Sequence, residues 1–249
     1  MNIEEYERMF RLEDTYWWFV SRRRLIVGLV KRVFPDRKDL AILDIGCGTG
    51  ATSRELRPFG TVISVDFTRE ALRFARMKGC HPLCQADAHR LPFADETFDL
   101  VVAMDIMEHL DDDRQALKEC FRVLQPGGKA ILTVPAHMTL WSEHDVALHH
   151  RRRYERREFA KRLQETGWRI ARLSFTLMLF YPPIWAYRKI QQRLYPSPTP
   201  HATLIPLPHF LNRLLARLLD MENVLIHQKV DLPFGISLVC VAERPVDNR

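Results

Sequence analysis

Leu40-Ala41-Ile42-Leu43-Asp44-Ile45-Gly46-Cys47-Gly48-Thr49-Gly50 is the stretch from which the rest of the chain can be read. A short apolar run rich in branched side chains, closed by an acid and three alternate glycines, predicts a buried strand turning sharply into a helix. Glycine suits such a turn because a Cβ would obstruct both positive φ and the close approach of a ligand to the backbone. Helix-forming sequence follows from Thr49, so the N–H groups of that first turn are expected to point into the crevice beyond the strand. The spacing is G-x-G-x-G, whereas the dinucleotide fingerprint is G-x-G-x-x-G. Asp44, just ahead of the loop, would repel a pyrophosphate and suits a ligand carrying a cationic amine.

Downstream the pattern repeats. Thr61 to Asp66 reads as a second strand, and its terminal acid lies about 20 residues beyond Gly46, the spacing at which an acid reaches ribose hydroxyls in a βαβ unit. His81 to Gln85 reads as a third strand, followed by the turn Ala86-Asp87-Ala88-His89-Arg90-Leu91-Pro92-Phe93. Thr97 to Met104 is a fourth strand running into Asp105-Ile106-Met107-Glu108-His109-Leu110. A helix over 111–124 with an acidic first turn, suited to the positive end of its dipole, leads through Gln125-Pro126-Gly127-Gly128 to a fifth strand at 129–134.

These segments together resemble the class I S-adenosylmethionine-dependent methyltransferases. Asp44 to Gly50 is similar to motif I, Asp87-Ala88 to the adenine-binding turn, and L-x-P-G-G to the turn before the fifth strand. The resemblance covers roughly residues 38–175. It implies an α/β, doubly wound, Rossmann-like sheet of seven strands with an antiparallel last strand, 235–243, slotted between the fifth and sixth, and with an inserted helical cap. It also implies S-adenosyl-L-methionine as cofactor, with Asp44, Gly46, Cys47 and Gly48 in the loop and Asp66 on the ribose. Phe67 would lie beside the adenine, with Asp87 and Ala88 at its polar edge and Met104 at the end of the fourth strand. Residues Glu4 to Arg32 read as a helix that would cover the cofactor, Trp18 closing over it and Arg23 meeting the methionine carboxylate.

The connection 135–154 follows a strand's C-terminal end, so it overhangs the same edge. It holds His137, His144, His149, His150, an acid pair, Trp141 and an arginine run, a heavy investment for a linker. An imidazole titrates in the range useful to a general base. The candidates are His144, favoured because Asp145 and Glu143 adjoin it, His149 and His109. Trp141, Asp145 and Tyr181 are the expected substrate contacts. No metal is expected, because neither H-x-x-x-H on a helix nor a cysteine partner is present.

Organisation follows: an N-terminal helical lid (1–37), a cofactor-binding core (38–176), a hydrophobic helical insertion (177–234), and a final strand and tail (235–249). In the insertion a proline-punctuated linker, 196–208, leads to a helix at 209–226. There Phe210, Leu211, Leu214, Leu215, Leu218 and Leu219 form one apolar stripe, with Arg213 and Arg217 outside it. Such a basic amphipathic surface suits a membrane boundary through 177–226, a greasy substrate channel or a homodimer interface.

A net charge of +6 and a pI near 9.2 favour anionic partners. The five cysteines, odd in number and without C-x-x-C pairing, fit a reducing cytoplasm rather than a zinc or disulfide framework. No signal peptide opens the sequence, and no apolar run reaches the length of a spanning helix, so the expected location is cytoplasmic, with peripheral contact at the inner membrane face left open. The functional expectation is methyl transfer, O-methylation favoured, to a small hydrophobic or lipid-linked acceptor. The alternatives are an NAD-dependent oxidoreductase, which would put pyrophosphate beside Asp44, and a nucleic-acid methyltransferase, suggested by the charge. Nucleic acid is disfavoured because Met104-Asp105-Ile106-Met107 stands where a base-flipping N-P-P-Y would.

Overall fold

The computed structural model describes residues 3–194 and 207–246. Its sheet comprises β1 (Leu40–Ile45), β2 (Gly60–Asp66), β3 (Leu83–Gln85), β4 (Phe98–Met104), β5 (Leu124–Pro135), β6 (Arg169–Thr176) and β7 (Ser237–Glu243). They lie in the order β3-β2-β1-β4-β5-β7-β6, parallel except that β7 runs antiparallel to both β5 and β6. The expected sheet is therefore the one observed. Strand order reverses beside β1, and in such sheets the C-terminal strand ends flanking that reversal form the ligand crevice. Leu40, Ile42, Leu43 and Ile45 are all buried, as expected of a parallel strand covered on both faces.

The crossover helices are α3 (Ala51–Leu56), α4 (Arg69–Met77), α5 (Asp113–Val123) and α7 (Arg156–Glu165), the last preceded by a short α6 (Glu143–Ala147) inside the connection read as loop. The N-terminal segment is two helices, not one: α1 (Ile3–Leu12) and α2 (Trp17–Val33). The chain breaks between them where Glu13 pairs with Lys78 at 2.9 Å and Asp14 pairs with Lys78 at 2.6 Å and Arg54 at 2.7 Å. Helix α2 buries Leu25, Ile26, Leu29 and Val30 in the main core, so this part of the expected lid is a structural layer.

The insertion supplies α8 (Tyr181–Leu194) and α9 (His209–His227); the linker expected at 196–208 lies, up to residue 206, outside the described residues. Helix α9 packs along α2. Ser21 Oγ donates to the Ala216 carbonyl at 3.1 Å, Asn223 Nδ2 donates to the Ser21 carbonyl at 2.8 Å, and a Cβ on Gly28 would fall 2.2 Å from the His227 ring. The close approach thus requires glycine at position 28.

The single stripe expected on α9 divides between two faces. Leu219 and Ile226 turn inward beside Glu222, whose carboxylate accepts the backbone N–H groups of Leu177 and Met178. Phe210 and Leu214 face outward, 69% and 50% exposed, and are joined there by Met221, Val224 and Leu225. Among the described residues no helix is long and apolar enough to cross a membrane.

Candidate active site

A narrow crevice opens at the C-terminal ends of β1 and β2, with Gly46, Asp66, Phe67, Asp87, Ala88 and Ile106 among its walls. The glycine loop is fastened from within. Gly46 and Cys47 both donate to the Val65 carbonyl, at 2.8 and 2.9 Å, and Gly48 N–H donates to Asp66 Oδ2 at 3.0 Å. The end of β2 thus takes the N–H groups of Gly46, Cys47 and Gly48. Gly46 sits at φ 70°, where a Cβ would also come within 2.7 Å of Ile106 Cδ1, so any other residue would be strained there and would displace Ile106.

Asp66 Oδ1 accepts from the backbone N–H and the hydroxyl of Thr68, both at 3.0 Å. A carboxylate has about four acceptor positions, so these bonds orient it while leaving capacity for a ribose hydroxyl. Phe67 stands beside it, largely exposed. Across the crevice Asp87 is held by the His89 backbone N–H at 2.9 Å and the His89 ring at 2.6 Å, and the backbone bond foremost keeps its carboxyl below the usual range. Two acids with an apolar floor between them suit an adenosine: hydroxyl donors at one end and an exocyclic amine at the other. At the end of β4, Met104 Sδ accepts from Thr52 at 3.5 Å.

Of the expected cofactor contacts, Cys47, Gly48, Met104, Asp44, Arg23 and Trp18 do not line this crevice, and the last three are placed differently. Asp44 is buried outside the crevice lining, its Oδ2 accepting from Ser53 Oγ. Burial, and then the nearby Asp66, push its carboxyl up to about 6. A raised folded-state pKa means stability present below about pH 4 and lost as pH rises through 6. Asp44→Asn should therefore stabilise the chain by roughly 2–3 kcal/mol at pH 8 and little at pH 4, read from urea midpoints. An unchanged midpoint at pH 8 would exclude a strained carboxylate.

Arg23 points away from the crevice, buried, with Nε on Glu55 at 2.8 Å and a second nitrogen on the Glu13 carbonyl. Its neighbour Arg22 is the one that reaches the sheet edge, pairing with Asp105 and donating to Thr133 Oγ1 at 2.6 Å. Trp18, one turn earlier, lies against that guanidinium at 5.1 Å. The residue above Gly48 is Met9 of α1, whose Cε would be 2.9 Å from a Cβ there, while Tyr6 of the same helix meets Thr68 at 3.0 Å. Burial and then Asp66 raise the Tyr6 phenol to about 12. Helix α1, rather than Trp18, therefore packs on the glycine loop.

Beyond the crevice lies an open cavity of about 510 Å³ lined by His109, Trp141, Val146, His149, His150 and Arg151. The turn Met107–His109 separates the two spaces: Ile106 and Leu110, which flank it, line the crevice, and His109 lines the cavity. Two of the three expected bases, His109 and His149, and the expected contact Trp141 thus share one space.

His144, the favoured base, does not line that cavity. Burial and then the charge of Arg188 push its imidazole down to about 3, which makes it a poor proton acceptor. Asp145 is likewise no substrate contact. It is fully buried and accepts from Arg153 Nε at 2.7 Å, from His150 Nδ1 at 2.9 Å and from the Ser142 backbone N–H at 2.9 Å. Tyr181 lies outside the cavity, edge-on to His137 and Phe234, each ring at 5.7 Å.

The cavity also exposes what the sequence reading missed. Glu108 is completely buried and neither carboxylate oxygen has a hydrogen-bond partner. Burial and then Asp105 hold its carboxyl well above the ordinary range. Ligand atoms of Glu108, His109 and His150 all lie within 4.8 Å of one another, so a group of metal-ligating chemistry exists where none was expected. Only the adjacency of Glu108 and His109 was visible in the sequence.

The fold is that of the class I S-adenosylmethionine-dependent methyltransferases, to which the chain is similar. Residues 43–132 match the family model described as a methyltransferase domain. A demethylmenaquinone methyltransferase of Corynebacterium urealyticum is 33% identical over 139 residues, 53% of this chain and 56% of that protein. The chain spans about half the length of the curated relatives it matches. Among solved structures, a SAM-dependent methyltransferase of Thermotoga maritima superposes with a TM-score of 0.60 at 18% identity, covering 97% of this chain and 96% of that one. Phosphoethanolamine N-methyltransferase 2 of Haemonchus contortus, solved with S-adenosyl-L-methionine, has a TM-score of 0.59 at 20% identity, covering 89% and 52%. At these identities the two structures establish the fold.

Proposed function

We propose that this chain is a cytoplasmic S-adenosylmethionine-dependent methyltransferase that methylates a small hydrophobic or lipid-linked acceptor, most naturally on oxygen. The observation that carries the reading is the shared partition: one short turn, Met107–His109, separates an acid-flanked crevice from a 510 Å³ cavity. Asp66 and Asp87 would hold the nucleoside, and Arg22 stands at the sheet edge where a carboxylate could pair with it. When bound, S-adenosylmethionine supplies a methyl group already activated by the sulfonium charge. What the chain contributes is alignment of the acceptor with that group, which can be worth up to about 7–11 kcal/mol. Trp141 offers an aromatic wall to a planar acceptor, and His149 sits at the same cavity, able to hydrogen-bond a hydroxyl.

A hydrophobic acceptor is supported from two sides. The curated relative named above acts, by its printed name, on demethylmenaquinone. Independently, Phe210, Leu214, Met221, Val224 and Leu225 leave α9 with an exposed apolar face beside Arg213 and Arg217, which suits contact with an anionic bilayer.

Incubation with S-adenosylmethionine and a panel of hydrophobic phenols and quinols, against water-soluble amines and RNA, should release S-adenosylhomocysteine only with the first group. Turnover confined to amines or RNA would overturn the acceptor assignment. No turnover and no S-adenosylhomocysteine binding would overturn the whole reading.

A further inference from the structure

We infer that Glu108, His109 and His150 form a binding site for one divalent transition-metal ion at the wall of the acceptor cavity. Glu108 carries the argument. A carboxyl group fully removed from water, with both oxygens lacking a hydrogen-bond partner, is costly, and a cation is the partner that would relieve it. Its Oε1 lies 4.0 Å from His150 Nε2, too long for a hydrogen bond and suited to two ligands facing one ion.

The imidazoles are set up in the same sense. His150 engages the buried Asp145 through Nδ1 at 2.9 Å, which turns Nε2 toward Glu108. A carboxylate behind a histidine is the usual support of a metal ligand, fixing its tautomer and orientation. The His109 ring is hydrogen-bonded by the His149 backbone, and the His109 and His150 rings stand nearly perpendicular with centroids 4.8 Å apart. Both histidines also line the cavity, so an ion held here would keep open positions on the side from which an acceptor approaches.

Two imidazoles and one carboxylate suit manganese, iron, cobalt or zinc better than magnesium or calcium, which prefer all-oxygen sets. An acceptor bearing a hydroxyl or a pair of adjacent oxygens could occupy the open positions. This use of the ion rests on the proposed methyl transfer; the binding of the ion does not.

The test uses the full chain, stripped with chelator and titrated with Co²⁺ followed by visible absorption, and with Mn²⁺ by calorimetry. The expected result is one ion per chain. Glu108→Gln and His109→Asn should each weaken binding at least tenfold, while His144→Ala, outside the triad, leaves it unchanged. S-adenosylhomocysteine titration of each variant reports separately on the cofactor crevice and on folding. Absence of a bound ion in the wild type would overturn the site. So would binding that persists undiminished in both triad variants while they retain S-adenosylhomocysteine affinity.

Discussion

Asp66→Ala will lower the affinity for S-adenosylhomocysteine by about 10–10²-fold in calorimetric titration. The carboxylate is aligned by three short bonds, from Gly48 N–H and from the backbone and hydroxyl of Thr68. With three of its about four acceptor positions taken, Asp66 has room for one ribose hydroxyl, which contributes about 1.5–3 kcal/mol, and that sets the range at roughly tenfold per 1.4 kcal/mol. The same substitution frees the Gly48 N–H, so part of the loss would come from a loosened loop. Asp66→Asn separates the contributions: its amide oxygen can still accept from Gly48, so the loop stays fastened while the acceptor facing Thr68 and the charge are lost. Retention of wild-type affinity by both variants would remove Asp66 from the nucleoside site.

The second large effect is on stability. Asp145→Ala should destabilise the fold by about 3–5 kcal/mol near neutral pH, the usual consequence of stripping one partner from a buried ion pair. Arg153 is 4% exposed and would be left with its charge uncompensated there, and α6 would lose the carboxylate that caps it. Burial by itself would raise the Asp145 carboxyl, but the His150 hydrogen bond and the charge of Arg153 outweigh it and hold the group well below its ordinary range. The corresponding stability is complete above about pH 4 and declines as the pH falls further. Urea unfolding should therefore show a wide gap between wild type and variant at pH 7 that narrows below pH 4. A gap that stays constant with pH would mean that the loss is packing rather than charge.

Asp44 and Asp66 were identifiable in the sequence because each stands at the end of a short apolar run, and Asp87 through the resemblance of its turn; parallel strands bring their C-terminal ends to one edge. That edge was legible; the direction of each side chain was not. Asp44 precedes the glycine loop just as a ligand-facing acid would, but Ser53, on the first turns of α3, comes near enough to take its oxygen. Arg22 and Arg23 are consecutive on a helix and so diverge by about 100°, and nothing local tells which one meets Glu55. His144 seemed the better base for standing beside Asp145, but the acid bonds His150, because a short helix turns the chain between them. The Glu108–His150 juxtaposition depends on two connections meeting above the sheet, information carried by no single window of sequence. The break between α1 and α2 was hidden for the same reason: it is set by Lys78 and Arg54, far along the chain.

Helix α1 rests its Met9 over Gly48 and its Tyr6 against Thr68, and is pinned beyond them by Phe10, whose ring packs at a tilt against Phe74. If a bound nucleoside reached beneath that helix, its departure would require the helix to tilt away. The pace of exchange would then be set by a hinge at Glu13 and Asp14, remote from any bond being made, and a chain tightened there would bind its cofactor well and cycle slowly.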